Sequence, residues 1–285
     1  MEKYLIINGD DFGLSVGINR GILECHKYGT LTSASLMVNG FAFDHAVAIA
    51  KENVSLDVGV HLNITTGYSI LPHNNLPSLT TPSGAFKYSI RSFLLQKIKV
   101  ELIKEIKMEF EAQIKKFFNS GLKIYFIDSH HHVHILSYIF PLVLDLCQKY
   151  DIPAIRIPLE PLSFRFLNIK RLLPQLVLYY YSKRAKKSCF QRGIYVTDHF
   201  WGISQEGYLN YKKFMTLICS LKKGVTEIMV HPGYPDEDLS KTKLWLQKQR
   251  KQDISILTDK KIQKTIQNNN ITLTTYRDIV NSKLT

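Results

Sequence analysis

Short apolar runs alternate with longer amphipathic segments along most of this chain, and the alternation restricts its fold more than any other feature. Residues 4–7 form an apolar run that ends at a polar turn, and residues 15–28 carry apolar side chains at helical spacing. By the same criteria we predict further strands at 31–38, 56–64, 123–128, 154–157, 226–230 and 271–274. We predict further helices at 43–51, 94–118, 138–150, 208–221, 241–250 and 259–267. Strands and helices in this order form parallel βα units, so the sequence predicts an α/β fold, either a barrel or a doubly wound sheet.

A basic segment at residues 163–192 interrupts this alternation and is interpreted as an insertion in a single domain that spans residues 1–285. The chain carries a net charge of +13, and the segment contains eight lysines and arginines but no aspartate or glutamate. These eight residues are Arg165, Lys170, Arg171, Lys183, Arg184, Lys186, Lys187 and Arg192. The basicity is therefore largely local, and no helix-turn-helix, zinc-finger or RNA-motif signature accompanies it. We expect no nucleic-acid partner.

The N-terminus and the cysteines indicate a cytoplasmic protein. Residues 1–4 lead directly into the first apolar run, without the longer apolar region of a signal peptide. No apolar stretch approaches the roughly 20 residues that cross a bilayer. The four cysteines lie far apart without CxxC spacing, so we expect them to be reduced, with neither a zinc knuckle nor a disulfide framework.

Polar side chains with catalytic potential follow the predicted strands. Asp10 and Asp11 come after the first strand, His61 lies in the third, and His231 follows the sixth. Residues 128–134, Asp-Ser-His-His-His-Val-His, come at the end of the fourth strand. The carboxyl ends of parallel strands meet on one face of an α/β fold, and active sites occupy that face. We therefore expect two carboxylates and several imidazoles to be gathered there from distant parts of the chain.

Each of these elements also has a purely structural interpretation. An Asp-Asp pair after a strand is commonly a turn or a helix cap, and His231 before Pro-Gly could close a turn. A single histidine such as His61 could be a hydrogen-bonded core residue. The four-histidine cluster favours a metal, because desolvating several imidazoles together is costly unless a metal or a carboxylate offsets it.

We expect the strand before the histidine cluster to extend through it. Asp128, His130 and His132 would then share one face of that strand, where Asp128 or His132 could orient a metal ligand. His131 and His134 would be structural.

Six segments of the chain together resemble a known family. They are 5–13 (Leu-Ile-Ile-Asn-Gly-Asp-Asp-Phe-Gly), 31–40 (Leu-Thr-Ser-Ala-Ser-Leu-Met-Val-Asn-Gly), 59–62, 127–134, 155–158 and 231–234. With these motifs the chain resembles the YdjC family of carbohydrate deacetylases. The resemblance implies a distorted TIM-like (β/α) barrel with parallel strands and outer helices. It also implies a hydrolase that removes an acetyl group from an N-acetylated sugar.

The resemblance further implies roles for individual residues. Asp11, His61 and His130 match the family's metal ligands, Asp10 matches its base, and His231 matches its acid. Asp10 would then take a proton from the attacking water, and His231, as an imidazolium, would protonate the leaving nitrogen. The family implies a divalent ion, with Mg²⁺ favoured, whereas one carboxylate and two imidazoles also suit Zn²⁺ or another transition metal.

Two other functions are open on the sequence alone. A metal-dependent hydrolase of another substrate class, such as a phosphoester, could use the same residues. Alternatively, the basic segment could be the functional part of a surface-associated protein, since its cations are mixed with leucines and with three tyrosines at 179–181. Pro174 interrupts that run, and a surface loop or lid would also explain it. The expected partners are an N-acetylated sugar and, as open alternatives, a weakly contacted membrane surface and a second copy of the chain.

Overall fold

The computed structural model of the protein describes residues 2–95, 99–162, 169–241 and 247–282. Within these ranges, strands and helices alternate for most of the chain. The strands are β1 Lys3–Phe12, β2 Ser33–Leu36, β3 Asp57–Leu62, β4 Phe126–Ser129, β5 Ala154–Ile155, β6 His199–Trp201, β7 Gly224–Val230 and β8 Ile271–Leu273. The helices are α1 Val16–Tyr28, α2 Phe43–Glu52, α3 Ile90–Leu95, α4 Val100–Asn119, α5 Phe140–Lys149, α6 Ile169–Gln191, α7 Tyr211–Cys219, α8 Glu237–Lys241, α9 Gln247–Leu257, α10 Lys260–Asn268 and α11 Tyr276–Ser282. Short 3₁₀ segments lie at His73–Asn75 and His130–Ile135.

The strands form one curled sheet in the order β5-β4-β3-β2-β1-β7-β6, with β8 paired to the beginning of β1. Every pairing between these strands is parallel. A further parallel bridge joins Ala154 of β5 to Tyr195, just before β6, so the two ends of the sheet approach each other. This curled half-barrel, with helices around it, confirms the predicted distorted (β/α) barrel.

Apolar side chains on both faces hold the central strands in the middle of the molecule. All residues of β3 and β7 are buried, as expected for parallel strands that are covered on both sides. Helices α1 and α7 begin where a side chain satisfies one of their first N–H groups. Ser15 accepts a hydrogen bond from the N–H of Ile18 at the start of α1, and Asn210 accepts one from Lys213 at the start of α7.

The structure differs from the predicted elements in a few places. The helix predicted at 94–118 is divided between α3 and α4, and residues 96–98 lie outside the described residues. The same holds for residues 242–246 of the helix predicted at 241–250. The sequence does not predict β6 or α11, because elements of three and seven residues are too short for a clear periodic pattern.

Most of the basic segment at 163–192 forms a helix of 23 residues, α6, while residues 163–168 lie outside the described residues. The helix runs through Pro174, which was expected to interrupt it. Proline removes one backbone hydrogen bond, and the other turns of so long a helix outweigh that loss. No described helix is both long enough and apolar enough to span a bilayer.

Tyr276 is one of two buried side chains, with Ile279, by which helix α11 packs on the sheet. Its ring stacks on Phe126 of β4, with 4.4 Å between the ring centroids. Its hydroxyl donates a hydrogen bond of 2.7 Å to Glu227 Oε2 on β7. Both Tyr276 and Glu227 are fully buried. The hydroxyl therefore gives a buried carboxylate a donor in place of water.

We predict that Tyr276→Phe lowers the free energy of unfolding by about 1–3 kcal/mol, because a buried carboxylate oxygen loses its donor. The matched control is Tyr4→Phe. The Tyr4 hydroxyl donates to Glu2 at the surface, and its loss should change stability by less than about 0.5 kcal/mol. Urea denaturation measures both variants. Equally small losses in the two would contradict the structural role of the Tyr276 hydroxyl.

Candidate metal centre and active site

The end of β1 places two consecutive aspartates against different partners. The register of β1 against β2 shifts in this stretch, and Asp11 has a φ of 68°, a conformation that aspartate tolerates better than most residues. Asp10 contacts Arg156, whereas Asp11 contacts His130. Both aspartates are only 2% exposed. Two adjacent carboxylates therefore take separate positions in the site.

His61 is held by the residue beside it on the neighbouring strand. β3 and β4 pair with His61 in register with Asp128, and His61 Nδ1 lies 2.6 Å from Asp128 Oδ1. The other ring nitrogen, Nε2, lies 3.7 Å from Asp11 Oδ1. Burial lowers the pKa of His61, but the carboxylates of Asp128, Asp10 and Asp11 together outweigh burial and the pKa is raised. A carboxylate partner at Nδ1 fixes the ring so that Nε2 can act as a metal ligand.

The histidine cluster is a tight turn and does not continue β4, so the predicted shared strand face is wrong. β4 ends at Ser129, and His131 and His132 both have a φ of 54°. Two consecutive residues in the left-handed region are incompatible with a strand, so the alternation of faces stops there. His130, the first residue of the turn, has Nδ1 2.9 Å from Asp11 Oδ1.

The other histidines of the cluster have separate environments. His131 Nδ1 lies 3.0 Å from Thr65 Oγ1. His134 is fully buried, with Nε2 2.8 Å from the backbone oxygen of Arg156. His132 Nδ1 has no hydrogen-bond partner among the described residues. Burial lowers the pKa of the His132 and His134 imidazoles, so both are neutral at pH 7.

Asp11, His61 and His130 form a cluster into which a divalent cation fits. One potential ligand atom from each residue lies within 4.8 Å of the other two, and all three residues are buried. Asp11 Oδ1 lies close to both imidazoles, 2.9 Å from His130 Nδ1, but no group of the described chain donates to it in hydrogen-bond geometry. A buried oxygen is costly to leave unpaired, and a cation would satisfy it. Three protein ligands of this kind also leave coordination positions open, as in catalytic metal sites.

A second group of potential ligands, Asp10, His61 and Asp128, is already occupied by a guanidinium. Arg156 Nη1 and Nη2 donate to the two oxygens of Asp10 at 2.7 and 2.8 Å, and Nη1 also pairs with Asp128. Arg156 Nε donates to Glu227 Oε1 at 2.8 Å. Burial raises the pKa of Asp10, but Arg156, with His61 and His231, outweighs burial and holds this pKa below its usual range. The positive charge that this group needs is therefore supplied by the protein.

The sequence analysis gave no role to two arginines that lie in the site, Arg156 and Arg250. Arg156 lies in segment 155–158, one of the six segments that resemble the family. A charged residue within a predicted buried strand is unusual, and this could have indicated that Arg156 belongs to the site. Arg250 is fully buried and pairs with Asp11 Oδ2. It comes from α9, and nothing in the sequence distinguishes it from the other cations nearby.

His231 follows β7 and lines the same cavity as the two aspartates. Its backbone N–H donates to Asp253 Oδ2 at 2.9 Å. Burial lowers the pKa of the His231 imidazole to about 4, although Asp10 and Asp11 oppose the shift. The side chain is therefore neutral at pH 7.

A cavity of about 1150 Å³ contains all the predicted site residues. These are Asp10, Asp11, His61, His130 and His231. Helices α3 and α6 form another part of its wall. The structure brings the predicted residues together, and their individual roles stay predictions. Ligand pockets commonly measure about 300–1,000 Å³, so this cavity has room for more than one sugar ring.

The chain is similar to proteins of one family along almost its whole length. Residues 4–268 match the family model described as YdjC-like protein. A carbohydrate deacetylase of Brevibacillus brevis is 35% identical over 280 residues, covering 96% of this chain and 99% of the relative. A chitooligosaccharide deacetylase of Proteus mirabilis is 30% identical over 288 residues, covering 98% and 100%. The crystal structure of a candidate cellobiose-phosphate cleavage protein of Enterococcus faecalis aligns with a TM-score of 0.79 at 27% identity, covering 98% of this chain and 99% of that one.

We predict that Arg156→Met lowers the free energy of unfolding by about 3–5 kcal/mol at pH 7, because it leaves buried carboxylates without their cation. In the wild type, the lowered pKa of Asp10 gives a stabilisation that is present above the unfolded pKa of about 3.9 and is lost as the pH falls through the folded value. In the variant, the buried carboxylates take up protons more readily. The difference in free energy of unfolding between the wild type and Arg156→Met should therefore become smaller from pH 7 to pH 5.

The control is Arg192→Met, which removes a surface pair with Asp145, 2.8 Å away, and should cost at most about 1 kcal/mol. Denaturant titrations at both pH values measure the two variants. A deficit for Arg156→Met that is as small as the control's, or that grows on acidification, would contradict the account.

Proposed function

Because this chain belongs to the YdjC-like family, we propose that it is a metal-dependent carbohydrate deacetylase, which hydrolyses the amide bond of an N-acetylated sugar and releases acetate. Full-length relatives bear the names carbohydrate deacetylase and chitooligosaccharide deacetylase. The observation that carries the proposal is the buried cluster of Asp11, His61 and His130 on the cavity. Amide hydrolysis needs such a site, because an amide carbonyl is a poor electrophile and water is a poor nucleophile.

Asp11, His61 and His130 would hold the ion, and Asp128 would fix the His61 ring through its 2.6 Å contact with Nδ1. Bound there, a divalent cation supplies Lewis-acid polarisation of the acetyl carbonyl and makes water easier to deprotonate. The family resemblance favours Mg²⁺, whereas two imidazole donors suit Zn²⁺ or another transition metal better. Both are candidates, and metal analysis of the purified protein distinguishes them.

Asp10 and His231 would move the protons. Asp10 would take one from the attacking water, since Arg156 keeps its carboxylate ionised and, with Asn8, holds it in place. His231 would deliver one to the sugar nitrogen as that nitrogen leaves. Because the His231 imidazole is neutral at pH 7, it has to gain this proton during the reaction.

A phosphoester hydrolase built on the same residues is the main alternative. The Enterococcus faecalis relative is named as a candidate cellobiose-phosphate cleavage protein, a name that does not say which bond is cleaved. Parallel assays of acetate release from N-acetylated oligosaccharides and phosphate release from sugar phosphates separate the two functions. Acetate release without phosphate release supports a deacetylase. Phosphate release without acetate release contradicts it.

Four further expectations stay predictions. They are a single domain with an insertion at 163–192, a cytoplasmic location, weak contact of that segment with a membrane surface, and a homodimer. Lys183, Arg184 and Lys187 are exposed on α6, which is compatible with an anionic surface.

We predict that His61→Ala and His130→Ala each remove the metal and abolish acetate release, because each deletes one of three protein ligands. The control is His26→Ala, which replaces a histidine of α1 that contacts Ser55 and is not among the described residues that line the cavity. Metal content by mass spectrometry and acetate release are measured on the same preparations. Undiminished turnover in either ligand variant would show that the ion is incidental.

We predict that Asp10→Asn keeps the metal and lowers kcat by about 10²–10⁴-fold, the usual contribution of a general base. Steady-state kinetics and metal analysis of the variant test this together. If Asp10→Asn instead loses its metal, Asp10 is a ligand and the roles of Asp10 and Asp11 are exchanged.

A further inference from the structure

One wall of the active-site cavity takes no part in the proposed chemistry. It is formed by helices α3 and α6, and most of the side chains that they place on the cavity are apolar. α3 contributes Leu94 and Leu95, and α6 contributes Leu173, Leu176 and Tyr180, among others. We call these five residues the apolar wall.

The apolar wall is more exposed than leucines usually are. The exposed fractions are 86% for Leu95, 71% for Leu173 and 42% for Leu176. Single exposed apolar side chains are common, but several that line one concave surface mark a binding site. The wall belongs to the same cavity as Asp11 and His61. One ligand can therefore contact the apolar wall and the candidate metal centre at the same time.

A sugar by itself does not match this wall. Sugar hydroxyls that lose water need hydrogen-bond partners, and leucine side chains provide none. Two helix residues beside these five, Arg91 and Tyr181, also line the cavity and carry polar groups, but the apolar side chains outnumber them. The Tyr180 hydroxyl already accepts a hydrogen bond from Arg184 Nη1 at 3.1 Å. A hydrocarbon chain, in contrast, gains free energy when it covers exposed leucines.

We propose that the apolar wall binds a hydrocarbon chain attached to the sugar, so that the preferred substrate is an N-acetylated glycolipid. The inference rests on the proposed function, because it names the substrate class of the same site. Each methylene group that is fully buried tightens binding by roughly 4-fold. An octyl chain that is about half buried should therefore bind about 100-fold more tightly than a methyl group.

The test compares the methyl and octyl glycosides of N-acetylglucosamine, used below the concentration at which the octyl compound forms micelles. We expect kcat/KM to be about 100-fold higher for the octyl glycoside, mainly through a lower KM. The double variant Leu95→Ser/Leu173→Ser should reduce that ratio to less than about 10-fold. Equal kcat/KM for the two glycosides in the wild type would overturn the proposal.

The matched control is Phe190→Ser. Phe190 is an apolar residue of the same helix and is 87% exposed, but it is not among the described residues that line the cavity. Its replacement should leave the octyl-to-methyl ratio unchanged. An equal fall in that ratio in Phe190→Ser and in the double variant would overturn the proposal, because the effect would then be general surface hydrophobicity.

A binding measurement separates this inference from the proposed function. Calorimetry with the His61→Ala variant compares the affinities of the methyl and octyl glycosides without turnover. If no sugar yields acetate, the proposed function fails, and tighter binding of the octyl glycoside still supports the apolar wall as a hydrocarbon site. If both glycosides yield acetate but bind with equal affinity, the glycolipid proposal fails and the deacetylase stands.

The same variants also test two other possible partners of the apolar wall, a second copy of the chain and a membrane. Light scattering of the wild type and the double variant detects a dimer that depends on Leu95 and Leu173. Sedimentation with phosphatidylcholine–phosphatidylglycerol vesicles detects docking on a bilayer. Loss of a dimer or of vesicle binding in the double variant, with no octyl preference in the wild type, would assign the wall to a second copy or to a membrane and overturn the proposal.

Discussion

One buried cation, the guanidinium of Arg156, is the interaction on which the rest of the site depends. It is fully buried and contacts the carboxylates of Asp10, Asp128 and Glu227. These residues lie on β1, β4 and β7, and Arg156 directly follows β5. Each carboxylate would be costly to bury without a positive charge. The single cation therefore joins strands from both sides of the curled sheet and keeps Asp10 ionised within the cavity.

The contacts continue from this cation to the proposed metal ligands. Arg156 pairs with Asp128, Asp128 holds His61 Nδ1, and His61 Nε2 faces Asp11. From the other side, Arg250 pairs with Asp11 Oδ2 and leaves Oδ1 towards the imidazoles. Arg156 and Arg250 thus orient the residues that we propose hold the ion. Such supporting contacts are what set the geometry and affinity of metal sites.

The parts of this architecture that depend on local sequence patterns could be predicted from the sequence. Apolar periodicity predicted an α/β fold with parallel strands, and the family resemblance implied the barrel. Polar residues at strand ends predicted that Asp10, Asp11 and His231 would meet on one face. The backbone at the histidine cluster could not be predicted, because nothing in three consecutive histidines signals two left-handed residues. Arg250 could not be predicted either, since its partner is 239 residues away in the chain. The sequence analysis interpreted the segment of α6 by its positive charge, so it did not predict that apolar residues of this helix line the cavity.

We propose that Asp11, His61 and His130 together hold one divalent ion. Anomalous scattering from crystals grown with Zn²⁺ or Mn²⁺ tests it most directly, because the signal locates the ion independently of activity. We expect one peak, about 2.0–2.3 Å from a carboxylate oxygen of Asp11 and from one nitrogen of each histidine. A peak at another place, or no peak in protein that still releases acetate, would contradict it.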